Sequence, residues 1–386
     1  MVTPFEFATA SRIVFGRGVF AQLGAMAKEF GLHALIVSGR SAERSERAKR
    51  ALEQDGVAST SLHVAAEPTT EDARRGVEQA RNAHCDLVVA IGGGSALDLG
   101  KAVAALLTNP GEPLDYLEVV GKGRKLERSA APCIAVPTTA GTGSEVTRNA
   151  VLDVPDRGVK VSLRSHLMLP RVALIDPELT LSVPPAVTAS TGFDALSQVI
   201  EPYICNRANP LTDALCVDAI GRSARALRRA YEIGSDVAAR EDLCLVSLIG
   251  GMVLANAKLG AVHGFAGPLG GMYRGPHGAI CAALLPHVMR VNLRAIRERA
   301  PESEVLARFQ RIAHLLTGRH DAEPEDGIAF IDDLARTISL QPLRAFGVVR
   351  ADFAAICDKA AVASSMQGNP IALTSRELHE IIEAAL

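Results

Sequence analysis

Residues 87–101 read LVVAIGGGSALDLGK. The run 87–91 is short, apolar and rich in β-branched residues, the signature of a strand buried on both faces. Gly92, Gly93, Gly94 and Ser95 then turn the chain into a helix that carries Asp98 and Lys101. Outward from this unit the pattern repeats. Strand-like runs lie at 34–38, 133–136 and 172–175, and helical stretches at 18–31, 41–55, 71–84 and 96–107. Strand–helix alternation with apolar strands predicts a parallel sheet covered on both faces. An opening hairpin is expected around 5–15.

Beyond about Pro184 the rhythm changes. Helical segments follow one another at roughly 186–204, 210–232, 236–258, 278–299, 303–317, 324–338, 350–364 and 374–385, separated by Pro and Gly. The chain therefore divides into an α/β domain, 1–184, and an all-helical domain, 185–386. The seam carries Pro184 and Pro185. Between two such layers a ligand cleft is expected.

Composition narrows the function. The 386 residues carry 41 Lys and Arg against 43 Asp and Glu, a net charge of −2. That balance argues against nucleic acid or an anionic membrane as the main partner. There is no Trp and there are only 4 Tyr, so platforms for stacked bases are not expected. The 7 Cys are odd in number, form no C-x-x-C pair and mostly sit in or beside apolar runs. They read as reduced, buried thiols in a cytoplasmic protein. The N-terminus lacks the basic and apolar regions of a secretory signal, and the apolar stretch 243–257 is too short to cross a bilayer.

Three groups of residues can carry chemistry. The glycine turn at 92–95 lets backbone approach an anion, with a helix N-terminus behind it. It fits neither the P-loop nor G-x-G-x-x-G, since Leu97 stands where the third glycine belongs. A plain strand-to-helix turn is the alternative. The loop 136–145, VPTTAGTGSE, offers hydroxyl and backbone donors to a ribose or pyrophosphate through Thr138, Thr139, Thr142 and Ser144. An ordinary capped polar loop is its alternative. Asp194 and Gln198 share a helical face, and His263 and His277 flank a glycine-rich turn. A carboxylate, an amide oxygen and two imidazoles suit one divalent cation, Fe2+ or Zn2+. Hydrogen-bonded structural histidines are the alternative. After the strand at 34–38 comes Gly39, where an acidic residue would repel a 2′-phosphate, and then Arg40 and Arg44. This points to NADP as accepted or preferred, unless the arginines face solvent.

Taken in order, these segments resemble the iron-containing (group III) alcohol dehydrogenase family. The resemblance rests on GGGSALDLGK at 92–101, PTTAGTGSEVTR at 137–148, Lys160, IDPELTLSVPP at 175–185, FDALSQVIEPY at 193–203, GAVHGFAGPLGG at 260–271 and PHGAICAALLP at 276–286. It implies a Rossmann-like N-terminal domain that binds NAD(P) and a helical C-terminal domain, with a divalent metal in the cleft. Gly92, Gly93, Gly94 and Ser95 would hold the pyrophosphate. Asp98, Thr138, Thr139, Thr142, Ser144 and Lys160 would line ribose and nicotinamide. Asp194, His263 and His277 fall on metal-ligand positions. Two residues depart from the family: Gln198 stands where a histidine ligand is usual, and Gly267 where a proton-relay histidine is usual. The implied activity is NAD(P)-dependent interconversion of an alcohol and an aldehyde or ketone by a cytoplasmic homodimer. Two other readings are a dehydroquinate synthase-like lyase using Lys258 and Arg274, and a nucleotide-binding member without catalysis.

Overall fold

The computed structural model describes residues 4–118, 120–273 and 275–386. Two compact units are present. One comprises Ala8–Thr139 and Gly143–Thr180, and the other Leu181–Leu386 together with residues 4–7 and Ala140–Thr142.

The first unit runs β1 (Arg12–Phe15), α1 (Leu23–Lys28), β2 (His33–Ser38), α2 (Ala42–Gln54), β3 (Ala58–His63), α3 (Thr70–Asn82), β4 (Leu87–Gly92), α4 (Gly94–Thr108), α5 (Pro113–Tyr116), β5 (Cys133–Pro137), β6 (Asn149–Val154), β7 (Val159–Arg164) and β8 (Val172–Ile175). Six strands form one sheet in the order β1-β8-β5-β4-β2-β3, every pair parallel. Alternate residues feed opposite faces, as the pleat requires. Leu35, Val37 and Val88 join Val77 of α3 and Leu99 and Val103 of α4 on one side. Ile36, Val89 and Ile134 join Leu23 and Met26 of α1 and Leu52 of α2 on the other.

The expected hairpin at 5–15 does not form. Instead β1 pairs in parallel with β8 at the sheet edge, Arg12 opposite Val172 through Phe15 opposite Ile175. The helix expected at 18–31 is also shorter, a 3-10 turn at Val19–Gln22 followed by six residues of α1. Three further strands lie in segments read as connections: β3, and the antiparallel pair β6–β7.

The second unit runs α6 (Pro185–Ile204), α7 (Pro210–Glu232), α8 (Val237–Asn256), α9 (Ala261–Tyr273), α10 (His277–Arg299), α11 (Val305–Thr317), α12 (Pro324–Thr337), α13 (Phe353–Ala361) and α14 (Ser375–Ala384). The stretch around His263 is helical, α9, and not the glycine-rich turn expected; α9 runs to Tyr273 and α10 starts at His277. Helix α6 is the centre, packed against α7, α8 and α10 and buried from Gly192 to Ile204. Helix α10 is long and apolar enough to span a bilayer, but 78% of its apolar window is buried in the fold.

Candidate functional site

The first candidate cluster lies at the carboxyl ends of β2, β4 and β5. The order β3-β2-β4-β5 reverses direction between β2 and β4, and in open parallel sheets ligands bind at such a switch point. Gly92 closes β4 with φ at +155°, and a Cβ there would lie 2.7 Å from Ala96 Cβ and 3.5 Å from the Gly39 nitrogen. Only glycine tolerates that backbone angle and lets β4 turn so tightly into α4, while the 3.5 Å to Gly39 is an ordinary contact that sets the turn after β2 alongside. Gly93 caps α4 without any side-chain hydrogen bond, which leaves the first-turn N–H groups facing an incoming anion. The Thr138 N–H donates to Gly92 O at 2.9 Å, tying the turn after β5 to the same place. Thr138 Oγ1 is buried and lacks a hydrogen-bond partner, and Thr139 Oγ1 lies against Gly93.

The structure thus brings together Gly39, Gly92, Gly93, Gly94, Ser95, Thr138 and Thr139. Other expected residues have different surroundings. Asp98 accepts from Ser144 Oγ at 2.5 Å and from the Val151 N–H at 2.9 Å, and pairs with the buried Lys101 ammonium at 3.1 Å. Asp98 and Ser144 therefore fasten β6 and the 144–146 turn onto α4. Lys160 sits on β7, 3.6 Å from Glu67. Arg40 donates through Nε to Ala65 O, and burial lowers the pKa of the half-buried Arg44. Thr142 belongs to the helical unit. Glu145, three residues further on in the same loop, is buried, and loss of water pushes its carboxyl up to about 7.

The second cluster is built on α6. Asp194, Gln198 and Glu201 stand at i, i+4 and i+7 on one face, and all are buried. Buried polar groups need partners, and these find them on α9 and α10. Helix α10 closes on α6 because its second residue is Gly278; a Cβ there would lie 1.9 Å from Ser190 O. That approach places His277 Nε2 3.7 Å from Asp194 Oδ1. His263 Nε2 lies 3.5 Å from the same oxygen, and the two rings are 5.4 Å apart.

Behind His263, Glu201 Oε2 meets Nδ1 at 2.5 Å while Oε1 accepts from the Val262 N–H at 2.7 Å. The carboxylate fixes the ring so that Nε2 points at Asp194. At 3.5 Å that contact is too long for a hydrogen bond, and Nε2 is buried without a partner. Burial works against a charged His263, but the Asp194 and Glu201 carboxylates outweigh it and push the imidazole up to about 9. Burial likewise opposes an ionised Asp194, yet His277, His263 and Gln198 hold its carboxyl below the usual range. A cationic slot between carboxylates, with a ring nitrogen unsatisfied, fits a divalent metal.

Gln198 donates through Nε2 to Gly141 O at 3.3 Å, and its Oε1 is buried without a partner. Two residues of this site were not anticipated. Cys281 brings its thiol within 4.8 Å of the donor atoms of Asp194, His263 and His277. Its signal was the i+4 spacing from His277. Glu201 carried a similar one, i+7 from Asp194. A Cβ on Gly267 would meet nothing within 4 Å. Arg274 lies outside the described residues.

This fold is that of a class of dinucleotide-dependent oxidoreductases. Residues 10–177 match the family described as iron-containing alcohol dehydrogenase, and residues 188–386 its C-terminal part. The 1,3-propanediol dehydrogenase of Citrobacter freundii is 35% identical over 99% of this chain and 98% of its own. A crystal structure of a 1,3-propanediol oxidoreductase superposes with a TM-score of 0.92 at 34% identity, covering 100% of both chains. Sulfoacetaldehyde reductase from Bifidobacterium kashiwanohense, solved in complex with NAD+, gives 0.88 at 30% identity over 99% of each chain. The chain belongs to the iron-containing alcohol dehydrogenase family.

Proposed function

We propose that the protein interconverts a small alcohol and its aldehyde or ketone by hydride transfer to and from NAD(P), assisted by a divalent metal. The observation that carries this reading is the Asp194–His263–His277 cluster, in which Asp194 and His263 are buried, His277 is exposed and His263 Nε2 is unsatisfied. Asp194, His263 and His277 would hold Fe2+ or Zn2+, with the Gln198 amide oxygen as a weak fourth donor. When bound, the nicotinamide supplies or accepts the hydride and the metal polarises the carbonyl oxygen. The chain's own part is to orient and to exclude water. Glu201 keeps the His263 ring in one orientation. The turn at 92–95 and the N-terminus of α4 receive the pyrophosphate, with Gly39, Thr138 and Thr139 around it. Asp98, Thr142, Ser144 and Lys160 complete the nucleotide-binding set, and Asp98 and Ser144 act by holding the loop. No imidazole stands at 267, so the proton comes from water or a ribose hydroxyl. The open space there admits a substrate larger than propanediol.

NADP is the preferred cofactor in this reading, because Gly39 and Arg40 follow β2 where an acidic residue would exclude a 2′-phosphate. The protein works in the cytoplasm, with its seven cysteines reduced and buried. It acts as a homodimer, for which the open edge of β1 offers a pairing surface.

The test is oxidation of NADPH and NADH against a panel of aldehydes, with chelated and metal-reconstituted protein. Turnover is expected only with metal, and the efficiency is expected to be higher with NADPH. Gly93→Val should cut cofactor affinity at least tenfold, since its side chain presses on Thr139. A folded Gly93→Val protein with unchanged affinity refutes the nucleotide site, and turnover without metal refutes the metal's role.

A further inference from the structure

Resting on the metal reading above, we propose that Cys281 binds the divalent metal as a thiolate. Cys281 lies one helical turn after His277, so both side chains leave the same face of α10. Its Sγ is 3.9 Å from Asp194 Oδ1, beside the 3.5 Å and 3.7 Å separations of His263 and His277 from that oxygen. In a tetrahedral zinc centre with bonds of roughly 2.0–2.3 Å, neighbouring donor atoms stand roughly 3.2–3.8 Å apart. The three separations from Asp194 lie close to that range, and all four donor atoms fall within 4.8 Å of one another. Small side-chain adjustments therefore suffice to close a shell of Asp194, His263, His277 and Cys281.

The surroundings of the thiol support this. A cysteine used as apolar filler sits against hydrocarbon. Cys281 is fully buried, yet it faces Asp194 and both imidazoles. Gln198 competes poorly for the same position. Its amide is tethered through Nε2 to Gly141 O, and a neutral amide oxygen is a weaker donor than a thiolate. On binding, the S–H bond breaks, the sulfur keeps the electron pair for the metal, and the proton passes to solvent. No oxidant or reductant is needed. Thiolate ligation favours Zn2+ over the harder Mg2+ and Mn2+, and four protein donors still leave zinc a fifth position for substrate oxygen.

The experiment uses the full-length protein, stripped with chelator and titrated with Co2+. One bound cobalt should bring a near-ultraviolet sulfur-to-cobalt charge-transfer band. The band should vanish in Cys281→Ser with at least a tenfold loss of cobalt affinity, and it should survive in Gln198→Ala. Cobalt bound without the band, or a band that persists in Cys281→Ser, overturns the thiolate ligand while leaving the metal site standing. Absence of any cobalt binding overturns the metal site and the ligand together. X-ray absorption of the zinc-loaded natural sequence serves as a measurement independent of variant folding. One sulfur at about 2.3 Å supports the proposal, and a shell of nitrogen and oxygen alone overturns it.

Discussion

Glu201 shows how one side chain sets the properties of another. Its carboxylate bonds both the His263 ring and the Val262 backbone, so ring and helix start are fixed together. Glu201→Gln keeps the shape and removes the charge. Outer-shell carboxylates behind a ligating histidine typically govern about 10- to 100-fold in metal affinity. A loss of that size is expected in calorimetric titration with Zn2+, with the far-ultraviolet spectrum unchanged. Glu145 gives a different prediction. Its folded pKa is raised from 4.5 to about 7, so the fold binds this proton more tightly than the unfolded chain. The stabilisation is complete below about pH 4.5 and is lost as the pH rises through 7. Glu145→Gln stays neutral throughout and should gain on the natural protein by about 2–3 kcal/mol between pH 5 and pH 8. Denaturant unfolding at the two pH values checks this; an equal difference at both would show that burial does not govern the group.

At the scale of elements, the contact of α10 with α6 decides whether the second cluster exists. Gly278→Ala forces a methyl group into Ser190 O and must push the helices apart. The expected cost is about 3 kcal/mol or more in unfolding free energy, with metal affinity falling in parallel. The same elements show what could be read in advance. Strands β2, β4, β5 and β8 were legible because all are buried, or nearly so, along their length and therefore apolar. Strand β3, ASTSLH, lies at the sheet edge with only Leu62 buried, so hydrophobicity gave it no mark. The pair β6–β7 stands apart from the main sheet, and its partial alternation is weaker evidence than a buried run. Helix α9 was hidden by its glycines, which signal turns in isolation. Gly264 is there for another reason: a Cβ would come within 2.9 Å of Met366. Asp194, Gln198, His263 and His277 were legible through the family resemblance. Cys281 and Glu201 were not, because i+4 and i+7 spacings gain meaning only once the helices are known to face one another.

At the scale of the whole molecule, the proposed preference for NADP rests on the turn after β2. Arg40→Ala should lower kcat/KM with NADPH about tenfold and leave that with NADH nearly unchanged, in steady-state assays with both cofactors. An equal loss with both would make Arg40 a structural residue acting through Ala65. The chain path has a further consequence. Ala140–Thr142 belongs to the helical unit although its neighbours on both sides belong to the α/β unit. Gly141 donates its N–H to Ser247 Oγ at 2.8 Å and accepts from Gln198 Nε2. A gene fragment encoding only 185–386 therefore omits a piece of its own interior. Expressed alone, it should unfold at lower denaturant than the same helices in the intact chain, and adding a peptide spanning 137–145 should recover part of the loss. The two halves are thus not interchangeable cassettes. Recombination that grafts a new helical half onto an old nucleotide-binding half must carry over three residues from the middle of the gene, which favours divergence by point substitution over domain shuffling.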